Sequence, residues 1–205
     1  MKKFELTNEF VTNMFGTKLF RIRALVEFGD VEAGELGGYV EKESNLGHDD
    51  NAWVYDNAWV YGDAQVSGDA RVYGNAWVYG DAQVSGNALV CGNAWVYDNA
   101  WVYGNAQVSG DARVCGDARV CGNGDYAYAH GFGSVNRTTT FFRLKDGGVG
   151  VRCGCFYGTL AQFRDKIRET HGETKKAQEY LMLADLMELR FEEDENEVGN
   201  RKYVE

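Results

Sequence analysis

The sequence predicts a mainly β protein built as a three-sided parallel β-helix, with caps at both ends. Three observations predict it. Twelve hexapeptides run without a gap from Asp50 to Cys121, nearly all reading Gly/Asp-Asp/Asn-Ala-x-Val-x. Within a unit such as Gly74-Asn75-Ala76-Trp77-Val78-Tyr79, Ala and Val alternate with larger residues, which is strand periodicity. The Gly-Asn or Gly-Asp pair tolerates positive φ, so the chain turns a corner every six residues. A unit of this kind cannot bury its apolar face alone and must stack on copies of itself.

The small interior residues set the number of sides. A prism filled only by Ala and Val has to be narrow, because packed interiors do not tolerate a central void. Three hexads close such a prism, so one coil takes eighteen residues and twelve hexads make about four regular coils. Coils rise by about 4.8 Å, the spacing of neighbouring strands.

The flanking segments follow the same reasoning. Residues 1–49 read as an N-terminal β cap. Leu19 to Leu25 alternates as a strand, after a turn from Asn13 to Lys18. Leu36-Gly-Gly-Tyr-Val40-Glu and Lys42-Glu-Ser44-Asn-Leu46-Gly are degenerate hexads forming a capping coil. In them Gly38, Val40, Ser44 and Leu46 are expected inside, and His48-Asp49 is a two-residue insertion. Residues 50–123 are the β-helix and 124–191 a small C-terminal α+β domain. There Thr138–Lys145 and Gly148–Phe156 form a β-hairpin joined at Asp146-Gly147. Thr159-Leu-Ala-Gln162 is a capping box for a first helix that ends at Gly172. Thr174 starts a second helix with Ala177, Tyr180, Leu181, Ala184 and Met187 on one stripe. Leu183, Leu186 and Phe191 make it apolar on further sides, so it is expected between two surfaces. Residues 192–205 read as an acidic tail.

Vertical alignment at eighteen residues sorts the outward side chains into three faces. One carries Trp59, Trp77, Trp95 and Arg113 beside Tyr61, Tyr79, Tyr97 and Cys115. A second carries Trp53, Arg71, Leu89 and Gln107, and a third Gln65, Gln83, Trp101 and Arg119. The first face is a ladder of three Trp and three Tyr, each able to bury about 150–250 Å². Left bare it exceeds what a monomer usually exposes. Three covers are open: the chain's own C-terminal elements, another protomer, or a flat ligand such as a sugar or nucleobase.

Composition narrows the function. The chain has 205 residues and a formal charge of −10, which argues against duplex nucleic acid. No apolar run is long enough for a membrane span and the start lacks an apolar signal core. The five cysteines of an unexported, cytoplasmic chain are expected as reduced thiols. Cys153 and Cys155 alone are a weak metal signal, so no metal and no cofactor is expected. One corner stacks Asp63, Asp81, Asn99 and Asp117, read as hydrated turn formers rather than a cation site.

At the Val-to-Ala spacing, from Val54/Ala58 through Val114/Ala118, the sequence resembles the hexapeptide-repeat left-handed β-helix superfamily. The resemblance implies a left-handed parallel β-helix and trimeric packing, although the array lacks nothing that a dimer would need, so a homo-oligomer, trimer or dimer, is expected. Many relatives are acyltransferases that resemble one another in using a His base at a subunit boundary. This chain departs from them, because its hexads contain no His and no inserted loop. His130, just past the last coil, is the one candidate. With Arg137 and the hydroxyls of Thr138, Thr139 and Thr140 it could form an anion or nucleotide pocket. Leu19–Ala24, Leu36–Leu46, Asn136–Phe142 and Gly154–Thr159 are also similar to hexapeptide-repeat proteins of phages and gut-associated bacteria, which implies a phage or bacterial cytosolic setting and no particular reaction. The expected function is therefore a non-catalytic binding protein, with Trp59, Trp77, Trp95, Tyr61, Tyr79, Tyr97, His130 and Arg137 as binding residues. Its partner would be a host protein or a small nucleotide-like or sugar ligand. The alternative is an acyl-CoA-dependent transferase with His130 as base.

Overall fold

A computed structural model describes residues 2–133, 135 and 137–192. The expected acidic tail falls almost wholly outside these. Twelve two-residue strands, β4 (Trp53–Val54) to β15 (Arg119–Val120), recur every six residues. They stack in three parallel sheets in the expected columns: Trp59, Trp77, Trp95 and Arg113 pair in register, as do Trp53, Arg71, Leu89 and Gln107, and Gln65, Gln83, Trp101 and Arg119. Every Ala and Val at the inward positions from Ala52 to Val120 is fully buried. All corner residues from Asp50 to Gly116 have positive φ, Asp at 50, 56 and 98 and Gly at the other nine. A Cβ added at Gly68 would stand 2.9 Å from the backbone nitrogen of Gly86, so glycine here serves close stacking as well as φ.

The N-terminal segment extends one of the three sheets. β1 (Phe4–Thr12) and β2 (Lys18–Ala24) form an antiparallel hairpin, and β2 pairs with β3 (Leu36–Val40). β3 then joins the solenoid in parallel, Tyr39 to Trp59 and Val40 to Val60. The register of twenty rather than eighteen residues matches the insertion at His48-Asp49. β1 went unread in the sequence because a bulge between Leu6 and Phe10 interrupts its alternation.

Two expectations for this cap are corrected. Ser44 is exposed and Asn45 is fully buried in its place, because a 3₁₀ turn at Glu43–Asn45 rotates the chain. Asn45 Nδ2 donates to the carbonyls of Gly62 and Ala64, at 3.0 and 2.8 Å, and its Oδ1 accepts from Lys42 N at 2.9 Å. Trp53, expected outward, is 0% exposed, because Phe4 and Phe28 of the cap close over it edge-on.

The ends of a solenoid leave strand groups without a next coil, and each must find a partner. At the first coil the carbonyls are satisfied by donors. Lys3 Nζ reaches Ala52 O at 2.9 Å, and Asn45 serves Gly62 and Ala64. At the last coil the N–H groups are satisfied by acceptors: Asn123 Oδ1 for Gln107, Tyr126 Oη for Ser109, Thr140 Oγ1 for Arg113 and Asp125 Oδ2 for Cys121 and Gly122.

Those acceptors come from, or lead into, the C-terminal domain. Its antiparallel sheet comprises β16 (Tyr126–Phe132), β17 (Arg137–Arg143), β18 (Val149–Cys153) and β19 (Phe156–Thr159) in that order. One side of the sheet, with Tyr126 and Phe142, completes the solenoid core. The other, with Phe141 and Val151, forms a second core under α1 (Leu160–His171) and α2 (Lys175–Phe191). The hairpin turn, the capping box at Thr159 and the N-cap at Thr174 stand as expected. α2 is not sandwiched. Ala177, Tyr180, Ala184, Met187 and Phe191 pack inward, while Met182, Leu186 and Leu189 are 72%, 53% and 67% exposed. No helix among the described residues is long and apolar enough to cross a membrane.

Candidate functional site

The aromatic face is the most ordered feature outside the core. Trp59, Trp77 and Trp95 stack with centroids 4.8 Å apart and ring planes within 6°. Tyr61, Tyr79 and Tyr97 stack beside them at 5.0 Å. The spacing equals the coil rise, so the backbone imposes it. Tyr39 pairs in register below Trp59, and an arginine lies over Trp95 at the upper end of the column and another over Tyr39. Arg113 lies 4.5 Å over the Trp95 ring, and Arg21 lies 5.2 Å over the Tyr39 ring while donating to its hydroxyl at 2.9 Å. These are cation–π contacts, with Glu9 accepting from Tyr39 Oη at 3.1 Å and pairing with Arg21.

This geometry sets which parts of the rings a cover could meet. Parallel rings stacked along the axis spend their faces on one another and present edges outward. Arg113 occupies the outer face of Trp95, and the faces between Trp59, Trp77 and Trp95 are taken by the stack itself. The C-terminal domain caps the end of the solenoid rather than the length of the Trp column. Tyr61 and Tyr97 are only 9% and 8% exposed, and Leu19, Tyr39 and Val11 pack around Tyr61. The three Trp rings and Tyr79 remain half-buried. Of the expected binding residues on this face, the indoles therefore keep solvent contact, whereas Tyr61 and Tyr97 serve chiefly as packing.

Burial holds the ladder hydroxyls neutral. It raises Tyr61, and pushes Tyr79 up to about 12 from the usual 10. Tyr97 is raised too, by burial and then by its bond to Cys115. The buried Cys115 thiol rises to about 11 by desolvation, so it is no nucleophile at neutral pH. In the unfolded chain Tyr79 loses its proton near pH 10. Its contribution is thus fully present below pH 10 and is lost as pH rises toward 12. Stability measured by urea denaturation should fall across that window, and Tyr79→Phe should flatten the fall. An unchanged slope in the variant would count against this account.

His130 and Arg137 do not share a pocket. His130 is exposed on β16, and its Nδ1 lies 2.8 Å from Thr138 Oγ1. Arg137 belongs to the opposite side of the sheet, with Thr139 and Phe141, and lines a cleft with Cys153 and Tyr180. The three threonines do not converge either. Thr139 is buried and donates to Cys153 Sγ at 3.2 Å, while Thr140 is buried and accepts from Arg113 N. Strand alternation explains the separation, since neighbours along β17 face opposite ways. β16 went unread in the sequence, although Tyr126, Tyr128 and His130 alternate there with Ala127 and Ala129. Cys155 lies in the turn after β18 rather than on the strand, beside the same cleft as Cys153.

The three corner ladders include side-chain pairs such as Asn75 to Asn93 and Asn93 to Asp111, at 3.4 and 3.0 Å. The Asp63 corner is paired with Lys42 at 2.7 Å. Among the described residues no group of three or more His, Cys, Asp or Glu is placed to hold a metal ion.

Repeat geometry of this kind has a counterpart among known families. Four segments match the YdcK beta solenoid repeat. They are residues 64–80, 82–98, 94–110 and 106–122, all within the solenoid, and each is about one coil long. The chain is thus a β-solenoid repeat protein, and the match extends to neither cap. No curated protein matches the chain.

Proposed function

We propose that the chain is a non-catalytic interaction protein that offers the aromatic edge of its solenoid to a protein surface. The carrying observation is the rigid column of Trp59, Trp77 and Trp95, half-buried, with the faces between them consumed by stacking. Aromatic side chains held rigid lose little entropy on binding, which is why Trp and Tyr dominate interface energetics. A row of edges suits a protein surface, whether a second copy or another protein. In the phage or bacterial cytosol implied by the resemblance, sequestering a host protein is the form such binding would take.

The test compares wild type with Trp77→Ala. Light scattering should give a particle heavier than the 22.9 kDa chain, or pull-down should recover a partner, and the variant should lose that association. Truncating a central anchor typically costs about 2 kcal/mol or more of binding. Identical particle mass and identical partners in both proteins would remove the proposal.

A further inference from the structure

A second site lies in the C-terminal domain and is independent of the aromatic face. Between α1, α2 and the ends of β17 to β19 is a cleft of about 270 Å³. Its floor is aromatic: Phe156, Phe163 and Tyr180, with Phe163 edge-on to Tyr180 at 5.8 Å. Its rim carries two cations, Arg137 and Lys166, and the imidazole of His171. No carboxylate lines it, in a chain whose formal charge is −10. Lys166 leans on Glu169 at 2.7 Å, and Glu169 lies outside the lining. Arg137 has no ion-pair partner among the described residues. Its guanidinium rests against Gly154, where an added Cβ would stand 2.0 Å from Nη1. That glycine, at φ 59°, is what lets the cation sit between the two cysteine positions. An unpaired guanidinium above an apolar floor asks for a planar oxyanion attached to a flat apolar body.

We propose that this cleft binds a small aromatic carboxylate, its carboxylate on Arg137 and Lys166 and its ring on Phe156, Phe163 and Tyr180. The volume sets the class. It falls just under the usual range for small-molecule pockets, about 300–1,000 Å³, so one or two rings fill it. The arginine fork distinguishes a carboxylate from a neutral aromatic, which could use only the floor.

The probe is 1-naphthoate, titrated calorimetrically into the full chain, with the neutral 1-naphthalenemethanol as comparison. Cys155 is exposed and lines the cleft, so its alkylation by iodoacetamide reports occupancy by peptide mass mapping. Naphthoate should bind saturably and slow alkylation of Cys155 without slowing that of Cys91. The neutral analogue should bind about tenfold more weakly. Arg137→Gln and Lys166→Gln should each weaken naphthoate by about tenfold at unchanged melting temperature. Equal binding of acid and alcohol, full affinity in both variants, no protection of Cys155, or no saturable binding in the millimolar range would each overturn the proposal. None of these outcomes bears on the Trp77 column.

Discussion

Ala76→Leu is expected to destabilise the protein by about 3 kcal/mol, at the upper end of ordinary overpacking. Ala76 is fully buried, on the axis side of a coil closed by three short strands. A larger side chain needs the backbone to step outward, and the backbone is tied on both sides. Ala76 O accepts from Trp59 N and Trp77 N donates to Ala94 O, each at 2.9 Å. Above and below stand equivalent alanines, Ala58 and Ala94, also with no exposure. A protein of this size loses roughly 2–4 °C per kcal/mol, so melting should drop by about 10 °C. Because each coil contacts only its neighbours, faster amide exchange should be confined to the coils around Ala76. An outward control, Gln83→Leu, should leave melting nearly unchanged. If Ala76→Leu melts with wild type, the interior is wider than three sides of Ala and Val allow.

Asn45→Leu should cost a comparable amount, about 3 kcal/mol, for a different reason. The number of side-chain heavy atoms is unchanged, but three hydrogen bonds vanish from a fully buried position. The carbonyls of Gly62 and Ala64 then lose their donor at the open end of the solenoid, and Lys42 N–H loses its acceptor. Each orphaned buried group costs about 1–3 kcal/mol, so the sum exceeds a typical single substitution. The measurement is denaturant unfolding beside Ser44→Ala, which should be neutral because Ser44 is exposed. Exchange should rise first in the capping coil and in the strands at Trp59 and Gln65. Equal midpoints for Asn45→Leu and wild type would mean that water caps this end as well as the side chain does.

These two positions show how far the sequence could be read. Ala76 was legible because the repeat assigns every inward residue by arithmetic. The same arithmetic aligned Trp59, Trp77 and Trp95. It failed where the repeat decays. Ser44 stood at the inward place by count, but a 3₁₀ turn handed that place to Asn45. Trp53 stood outward by count, but a hairpin distant in sequence brought Phe4 and Phe28 over it. The helices of the C-terminal domain announced themselves by caps and spacing, yet nothing local said that Met182, Leu186 and Leu189 would stay bare.

The candidate sites divide the same way. The indole column and the Arg113 above it follow from the period, but Arg21 over Tyr39 required β2 and β3 to join the sheet. His130 and Arg137 are neighbours in the chain and looked like one pocket. Pleating and a bulge after Ala129 put them on opposite sides of one sheet. Arg137 instead met Lys166 and His171, almost thirty residues or more away in sequence.

What the chain alone determined was the solenoid: its six-residue period, its three columns, its corners and its interior, because each is set by contacts between copies of one short pattern. What only the folded molecule decided was how that solenoid ends and what its surface offers. Those depend on which distant segments satisfy the orphaned strand groups at either end, and no periodicity encodes a contact made once.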